Sequence, residues 1–238
     1  MIPITSCDKC NLCKTKKNIV NGVGPIPCDV MFVGEAPGKE EDMIGAPFVG
    51  DAGKLLTDVL TQVGLDRKNF FVSNSVKCRP TDEYGDNRHP TPAEIKACSD
   101  YLEEEIQKVK PKIIVALGNV ALKRLANFSN ITKTHGMFFP SEKYNCKIFA
   151  CYHPAYILRN SSKTNQNNFI QDFLSLKAEL NPDKAQISHN YIIIENMEEF
   201  KELAEGLSKS NLIAVDIETT GFDSVNDRNK ERFGTLHP

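Results

Sequence analysis

The stretch "KIIVALGNVALKRLA" (112–126) decides the fold class. Its first half is an unbroken apolar run closed by Gly118, the pattern of a strand covered on both faces. Its second half continues at once as a helix. A strand that feeds a helix instead of a hairpin belongs to a parallel sheet with crossover connections. Working outward, the same alternation recurs. "DVMFVG" (29–34) is a buried strand ending in a glycine turn, and "AGKLLTDVLTQVG" (52–64) has helical spacing, with Leu55, Leu56, Val59, Leu60 and Val63 on one side. "NFFVSNSV" (69–76) is a second strand. "TPAEIKACSDYLEEEIQKVK" (91–110) opens a helix with a Thr N-cap, proline at the first helical position and Glu94 at the capping-box position. "KIFACYHP" (147–154) is a fourth strand and "NNFIQDFLSLKAEL" (167–180) a last helix. The expectation is an α/β three-layer sandwich around a mainly parallel four-stranded sheet, spanning residues 1–180.

Ligands bind such folds at the carboxyl ends of the strands. The ends here read "GEAPG", "SNSVKC", "ALGN" and "YHPAYILRN", so the unusual residues fall where a site is expected. After residue 180, "NPDKAQISHN" (181–190) reads as a linker. A strand, a helix and a second strand, "LIAVDIETTG" (212–221), then form a partial α/β segment over 191–238.

The composition is that of a globular chain: 238 residues, 40% hydrophobic, 25% charged and a net charge of −2. The first 180 residues carry 23 Lys and Arg against 20 Asp and Glu, and the remainder 6 against 11. The front is mildly basic, which agrees with a nucleic-acid partner without requiring one. "MIPITSCDKC" turns polar at once and no apolar run approaches membrane-spanning length, so the expectation is a cytoplasmic protein with no membrane partner. Eight cysteines in that compartment point to metal or redox chemistry before disulfides.

Cys7 and Cys10 form C-x2-C, with Cys13 at the same interval, and Cys78 and Cys98 stand far along the chain. Two local sulfurs and two brought in by the fold suit a tetrahedral zinc or a [4Fe–4S] cluster. The plainer alternative makes Cys78 and Cys98 buried apolar residues. Cys28, Cys146 and Cys151 fit strand positions and core packing.

The segments "CDKCNLCKTKKNIVNGVG", "FVGEAPGKEEDMIGAPFVGDAGKLL", "SNSVKCRP", "NRHPTPAEIKAC", "IIVALGNVAL" and "HPAYILRN" occur in this order over about residues 7–180. Each is modest alone. The ordered set resembles the family 4 uracil-DNA glycosylases, the iron–sulfur type of bacteria, archaea and some phages. The resemblance implies that Cys7, Cys10, Cys78 and Cys98 hold a mainly structural [4Fe–4S] cluster. It implies hydrolysis of the N-glycosidic bond of deoxyuridine in single- or double-stranded DNA, in base excision repair, by a monomer.

Base excision requires a flipped nucleotide, a flat apolar wall, an amide that reads the base edge and a donor to the leaving base. Phe48 supplies the wall. Asn74 offers one donor and one acceptor, matched to uracil O4 and N3–H and reversed for cytosine. His153 donates to uracil O2, where charge grows as the bond breaks. Glu35 and Ala36 lie against the base in the "GEAPG" turn. The resemblance gives Phe48, Asn74 and His153 these same tasks. Taken singly, each has a plainer reading: core, turn cap or turn brace. Glu41 is the carboxylate nearest to orient the attacking water, though a charged run such as "GKEED" is also an ordinary solvated surface. Ile157 and Leu158 can wedge into the gap left by the flipped base, and Arg159 can bind phosphate. "VGDAGKLL" fails as a phosphate loop, since Phe48 replaces the first glycine and Leu55 the Ser or Thr.

His89 departs from the family, which more usually has a small or amide residue there. Relatives that trap the sugar covalently carry a histidine in a similar loop, with a different turn motif and a longer basic loop that this chain lacks. "LIAVDIETTG" resembles the first motif of proofreading 3′–5′ exonucleases of DNA polymerases, with Asp216 and Glu218 matching metal-binding carboxylates. That resemblance implies a DNA polymerase partner, fused or separate. The alternative to an enzyme is a non-catalytic or covalently trapping uracil-DNA-binding module tied to such a polymerase.

Overall fold

The computed structural model describes residues 3–181 and the isolated positions 197 and 201. Apart from Asn181 and those two positions, the expected linker (181–190) and exonuclease-like segment (191–238), with Asp216 and Glu218, lie outside the described residues. In chain order the elements are β1 (Val30–Gly34), α1 (Lys39–Ile44), α2 (Asp51–Gln62), β2 (Phe71–Asn74), α3 (Pro92–Ala97), α4 (Ser99–Val109) and β3 (Ile113–Leu117). There follow α5 (Asn119–Ala126), α6 (Ile131–Thr134), β4 (Phe138–Ser141), β5 (Cys146–Cys151), α7 (Pro154–Arg159) and α8 (Lys163–Leu180).

The sheet has five strands in the order β2-β1-β3-β5-β4. β1 pairs in parallel with β2 and β3, and β3 with β5. Every residue of β1 and β3 is buried, as their unbroken apolar sequences require of strands covered on both faces. From β1 the chain steps one way to β2. It then crosses back over β1 to β3 and moves on to β5. Right-handed crossovers in opposite directions place α2 and α4 on opposite faces of the sheet. The order reverses between β1 and β3, and a crevice opens at that switch point.

The four-stranded expectation is corrected by β4, which pairs antiparallel with β5 at the sheet edge (Phe138 opposite Phe149). Its sequence, "FFPS", is four residues long, only partly buried and carries Pro140. Proline has no N–H for a ladder and so belongs on an edge, but in sequence it reads as a break. The single helix expected over 91–110 is two, α3 and α4, with Cys98 ending one and starting the other. The core holds Cys28 and Cys151, with Cys146 packed against it. A separate small cluster gathers Leu12, Val76, Cys78 and Cys98. Among the described residues no helix is long and apolar enough to cross a membrane.

α3 begins as its sequence dictates. Thr91 accepts the N–H of Glu94, and Glu94 accepts the N–H of Thr91 in return at 2.7 Å. Arg88 closes on the same carboxylate through two bonds, of 2.7 and 2.9 Å. The Arg88 bonds, aided by the Thr91 N–H, hold the Glu94 carboxyl down at about 2. An acid whose folded pKa lies below its unfolded value stabilises the fold above the unfolded pKa, and this is lost as pH falls through the folded one. The window here runs from about 4.5 down to about 2. Glu94→Gln should therefore flatten the acid limb of a melting-temperature profile across that window. An unchanged limb would show that Arg88 does not hold this carboxylate in solution.

Candidate functional site

The switch point opens into a cleft of about 780 Å³. Glu35 and Ala36 enter it from the turn after β1, Asn74 from the end of β2, Gly118 and Asn119 after β3, and His153 after β5. Phe48, Glu41, Tyr152, Tyr156, Leu158 and Arg159 complete the lining that bears on the chemistry. Residues scattered over 120 positions meet because parallel strands all end at one edge.

The floor is built to close tolerances. Gly34 pairs with Asn74 across the β1–β2 ladder. A Cβ on Gly34 would lie 2.4 Å from Asn74 Oδ1 and 2.6 Å from the Phe48 ring, so only glycine fits. Phe48 has a positive φ of 53°, the left-handed region that non-glycine residues avoid. Three braces hold it there. Arg67 donates to Pro47 O at 3.1 Å, and to Gly53 O and Thr57 Oγ1. Gly53, inside α2, admits the Phe48 carbonyl so closely that a Cβ would fall 1.8 Å from it. Glu41 accepts the N–H groups of Val49 and Gly50 through Oε1 (2.9 and 2.8 Å) and that of Gly38 through Oε2 (3.0 Å). Glu41 and its neighbour Asp42 are both buried, although Lys39 and Glu40 of the same "GKEED" run are exposed. With three amides on it, the Glu41 carboxylate ties the "GEAPG" turn to the Phe48 loop.

His153 and Phe48 stand 5.8 Å apart between ring centroids, on two sides of one space. His153 caps α7, and its Nδ1 accepts the N–H of Ala155 at 3.1 Å. An accepting Nδ1 leaves the ring proton on Nε2, which makes Nε2–H a donor. Burial, reinforced by the Arg159 charge, lowers the imidazole to about 4, so it is neutral at ordinary pH. Asn74 is 2% exposed, and its Oδ1 is the one buried side-chain nitrogen or oxygen among the described residues with no hydrogen-bond partner.

Leu158 is exposed and Arg159 lies beside it on the cleft, but Ile157 is 2% exposed within the main core. The expectation that Ile157 wedges into DNA is thus corrected: within the six residues of α7, position 157 is packed into the core and 158 faces out. Across the cleft mouth, His89 Nδ1 meets Glu35 Oε1 at 2.6 Å. Two further residues escaped the sequence. Arg67 gives no local signal, since two of its three partners are backbone carbonyls. Lys77 is 1% exposed, three residues past the end of β2, and its only trace is a charge between Val76 and Cys78.

Three of the thiols share one small cluster apart from the main core. Cys10 and Ala36 pack against the cluster of Leu12, Val76, Cys78 and Cys98, so the "GEAPG" turn touches both cleft and sulfurs. Burial pushes the Cys78 thiol up to about 12, and the Cys98, Cys7 and Cys10 sulfurs push the same way against Lys16. All eight cysteines are free of disulfides. Among the described residues no three His, Cys, Asp or Glu side chains are drawn tightly enough together to enclose an ion. The donor set nonetheless suits a soft metal centre: four sulfurs and apolar walls, where a bound cation reverses the penalty on thiolate.

The family model of the uracil DNA glycosylase superfamily matches residues 21–177. The chain is similar to the type-4 uracil-DNA glycosylase of Archaeoglobus fulgidus, 44% identical over 162 residues, 65% of this chain and 79% of that protein. It is similar also to the type-4 uracil-DNA glycosylase of Sulfurisphaera tokodaii, 46% identical over 166 residues, 66% of this chain and 73% of that protein. A DNA polymerase of Bacillus phage SP01 is 35% identical over 153 residues, which are 64% of this chain and 16% of the polymerase.

The geometry of His153 makes a measurable claim. Its imidazole signals in a histidine NMR titration should move near pH 4, not near the ordinary 6.5, and its nitrogen shifts should report the Nε2–H tautomer. A His153 that titrates in the ordinary range would remove the neutral donor.

Proposed function

The chain belongs to the uracil DNA glycosylase superfamily, and from that membership we infer that it is a uracil-DNA glycosylase. It takes deoxyuridine out of the DNA stack and hydrolyses its N-glycosidic bond, leaving an abasic site for base excision repair. The observation that carries this reading is the unpartnered Oδ1 of Asn74. A buried acceptor without a donor costs about 1–3 kcal/mol, a cost that a ligand can remove. Uracil N3–H is such a donor, and uracil O4 accepts from the Asn74 amide N–H. Cytosine turns a lone pair toward the same oxygen and is rejected.

In this reading Phe48 stacks on the flipped base, and its braced backbone keeps the slot formed before the base arrives. As the bond to C1′ lengthens, negative charge collects on the base, and His153 Nε2–H donates to O2. A neutral imidazole serves as a hydrogen-bond donor without transferring a full proton, and being fixed it costs no reorganisation. Leu158 enters the gap in the stack, and Arg159 binds a phosphate. Glu41 acts as a brace between loops, so the group that orients the water is not assigned to it.

Cys7, Cys10, Cys78 and Cys98 would hold a [4Fe–4S] cluster, which when bound clips the N-terminal segment to the 78–98 segment. The packing of Cys10, Cys78 and Cys98 in one small cluster and the two type-4 relatives support this. The phage polymerase match supports a glycosylase unit that works with a DNA polymerase, fused or separate. The acidic motif at Asp216 and Glu218 belongs to the same reading.

The His89–Glu35 pair favours a second reading. A carboxylate on one imidazole nitrogen prepares the other for attack. Attack on C1′ would form an Nε2–C1′ bond as the uracil anion leaves, and the product would be a protein–DNA adduct in place of an abasic site.

Incubation with a labelled uracil oligonucleotide, followed by alkali or by a denaturing gel, separates these outcomes. Alkali-labile strands at uracil and none at cytosine are expected. A heat- and detergent-stable protein–DNA band lost in His89→Ala would establish trapping. Uncut, unadducted DNA would leave only a binding module. His153→Ala should slow cleavage by about 10²–10³-fold, and Asn74→Asp should loosen discrimination against cytosine. Protein purified without oxygen should be brown, with about four irons per chain. Stoichiometric zinc without iron would refute the cluster, and Cys78→Ala should cost solubility as well as activity.

A further inference from the structure

A buried ion pair lies between the candidate base reader and the sulfurs. Lys77 Nζ donates to Glu105 Oε2 at 2.6 Å, to Ser73 Oγ at 2.6 Å and to the Asn74 carbonyl at 2.9 Å. All three ammonium protons are thereby used. Glu105, on α4, is 2% exposed and accepts Ser73 Oγ–H at 2.6 Å and the Gly22 N–H at 3.0 Å. The main chain of Lys77 points the other way. Its N–H donates to Cys98 Sγ at 3.4 Å, its carbonyl accepts the Val20 N–H at 2.8 Å, and Cys78 is the next residue.

We propose that Lys77, held by Glu105, is a positioning residue for base recognition, fixing the backbone of Asn74 and joining it to the cysteine cluster. The proposal rests on the reading of Asn74 as the base reader. A single hydrophobic residue could fill this space, and replacing a buried ion pair by apolar side chains often leaves stability unchanged. What such a replacement cannot supply is a donor to the Asn74 carbonyl. That carbonyl lies beyond the last rung of the β1–β2 ladder, where the chain has begun to curl through Ser75 N–H and Val76 N–H onto Gly34 and Glu35. Lys77 Nζ thus sets the orientation of the peptide from which the amide is displayed. Misplacement of such a group by about 1 Å can cost about 10²-fold in rate.

The test uses the full chain with its metal centre. Lys77→Met combined with Glu105→Gln removes both charges at once and keeps an acceptor for Gly22. Single-turnover cleavage at saturating uracil DNA should fall about 10- to 100-fold, while the half-saturating DNA concentration stays within about threefold. Iron content should be retained. In an Asn74→Ala background the same pair of substitutions should cause no further fall, because Lys77 acts through Asn74. An undiminished rate, or an equal loss in both backgrounds, overturns the proposal. Ser73→Ala deletes one partner of the amine without unpairing a charge, and keeps the test open if the double variant does not fold. It should lose about 3- to 10-fold, again only when Asn74 is present, and an unchanged rate overturns the proposal. Parental protein that leaves uracil DNA intact refutes the glycosylase reading instead, and is recognised before any variant is made.

Discussion

Parallel pairing of β1 with strands on both sides governs everything else in this molecule. Once those strands run in one direction, each connection must cross a face of the sheet, and each strand delivers its last residue to the same edge. The turn after β1, the amide at the end of β2 and the histidine after β5 meet without any local attraction between them. What the local sequence adds is fit. A glycine at position 34 leaves room for Asn74 and Phe48, and a carboxylate at position 41 gathers three amides from two loops.

Polar groups inside this protein fall into two classes. Glu41, Lys77, Glu105 and Glu94 are buried and hydrogen-bonded; Lys77 and Glu105 join segments 28 residues apart, while Glu41 and Glu94 close their own loops. Asn74 Oδ1 is buried and left without a partner. A fold that, among the described residues, satisfies its other buried side-chain groups and leaves one acceptor open has concentrated its incomplete bonding there at one point. That contrast gives the open acceptor its meaning, because an isolated orphan in a loosely satisfied interior would carry little information.

Much of this was readable in the sequence. Long apolar strands followed by amphipathic helices fix a parallel α/β sheet, and the Thr91-Pro92 start with Glu94 carries its own capping chemistry. Residues quoted from strand ends, Glu35, Ala36, Asn74 and His153, line one cleft for the same reason. The failures also have physical causes. β4 is short, half-exposed and holds a proline, so no period announces it. Ile157 and Leu158 are equally apolar, and only the packing of a short helix sends one to the core and the other outward. The break at Cys98 has no breaker residue, because it comes from tertiary structure. The braces from Arg67 and Glu41 go mostly to backbone groups, which have no identity in a sequence.

Gly53 shows how the cleft limits the protein's room for improvement. It stands in the third position of a twelve-residue helix, where glycine is about 1 kcal/mol worse than alanine. An engineer seeking a hardier protein would replace it first. Here the Phe48 carbonyl occupies the place of the missing methyl group, so that route is closed. Phe48 itself keeps a left-handed backbone conformation that glycine would adopt more easily, yet a glycine there would remove the aromatic wall. The two positions are locked together, the wrong residue for the helix beside the wrong residue for the turn. Thermal hardening of this scaffold has to come from helices and loops distant from the Phe48 slot, and relatives adapted to heat should keep this pair unchanged.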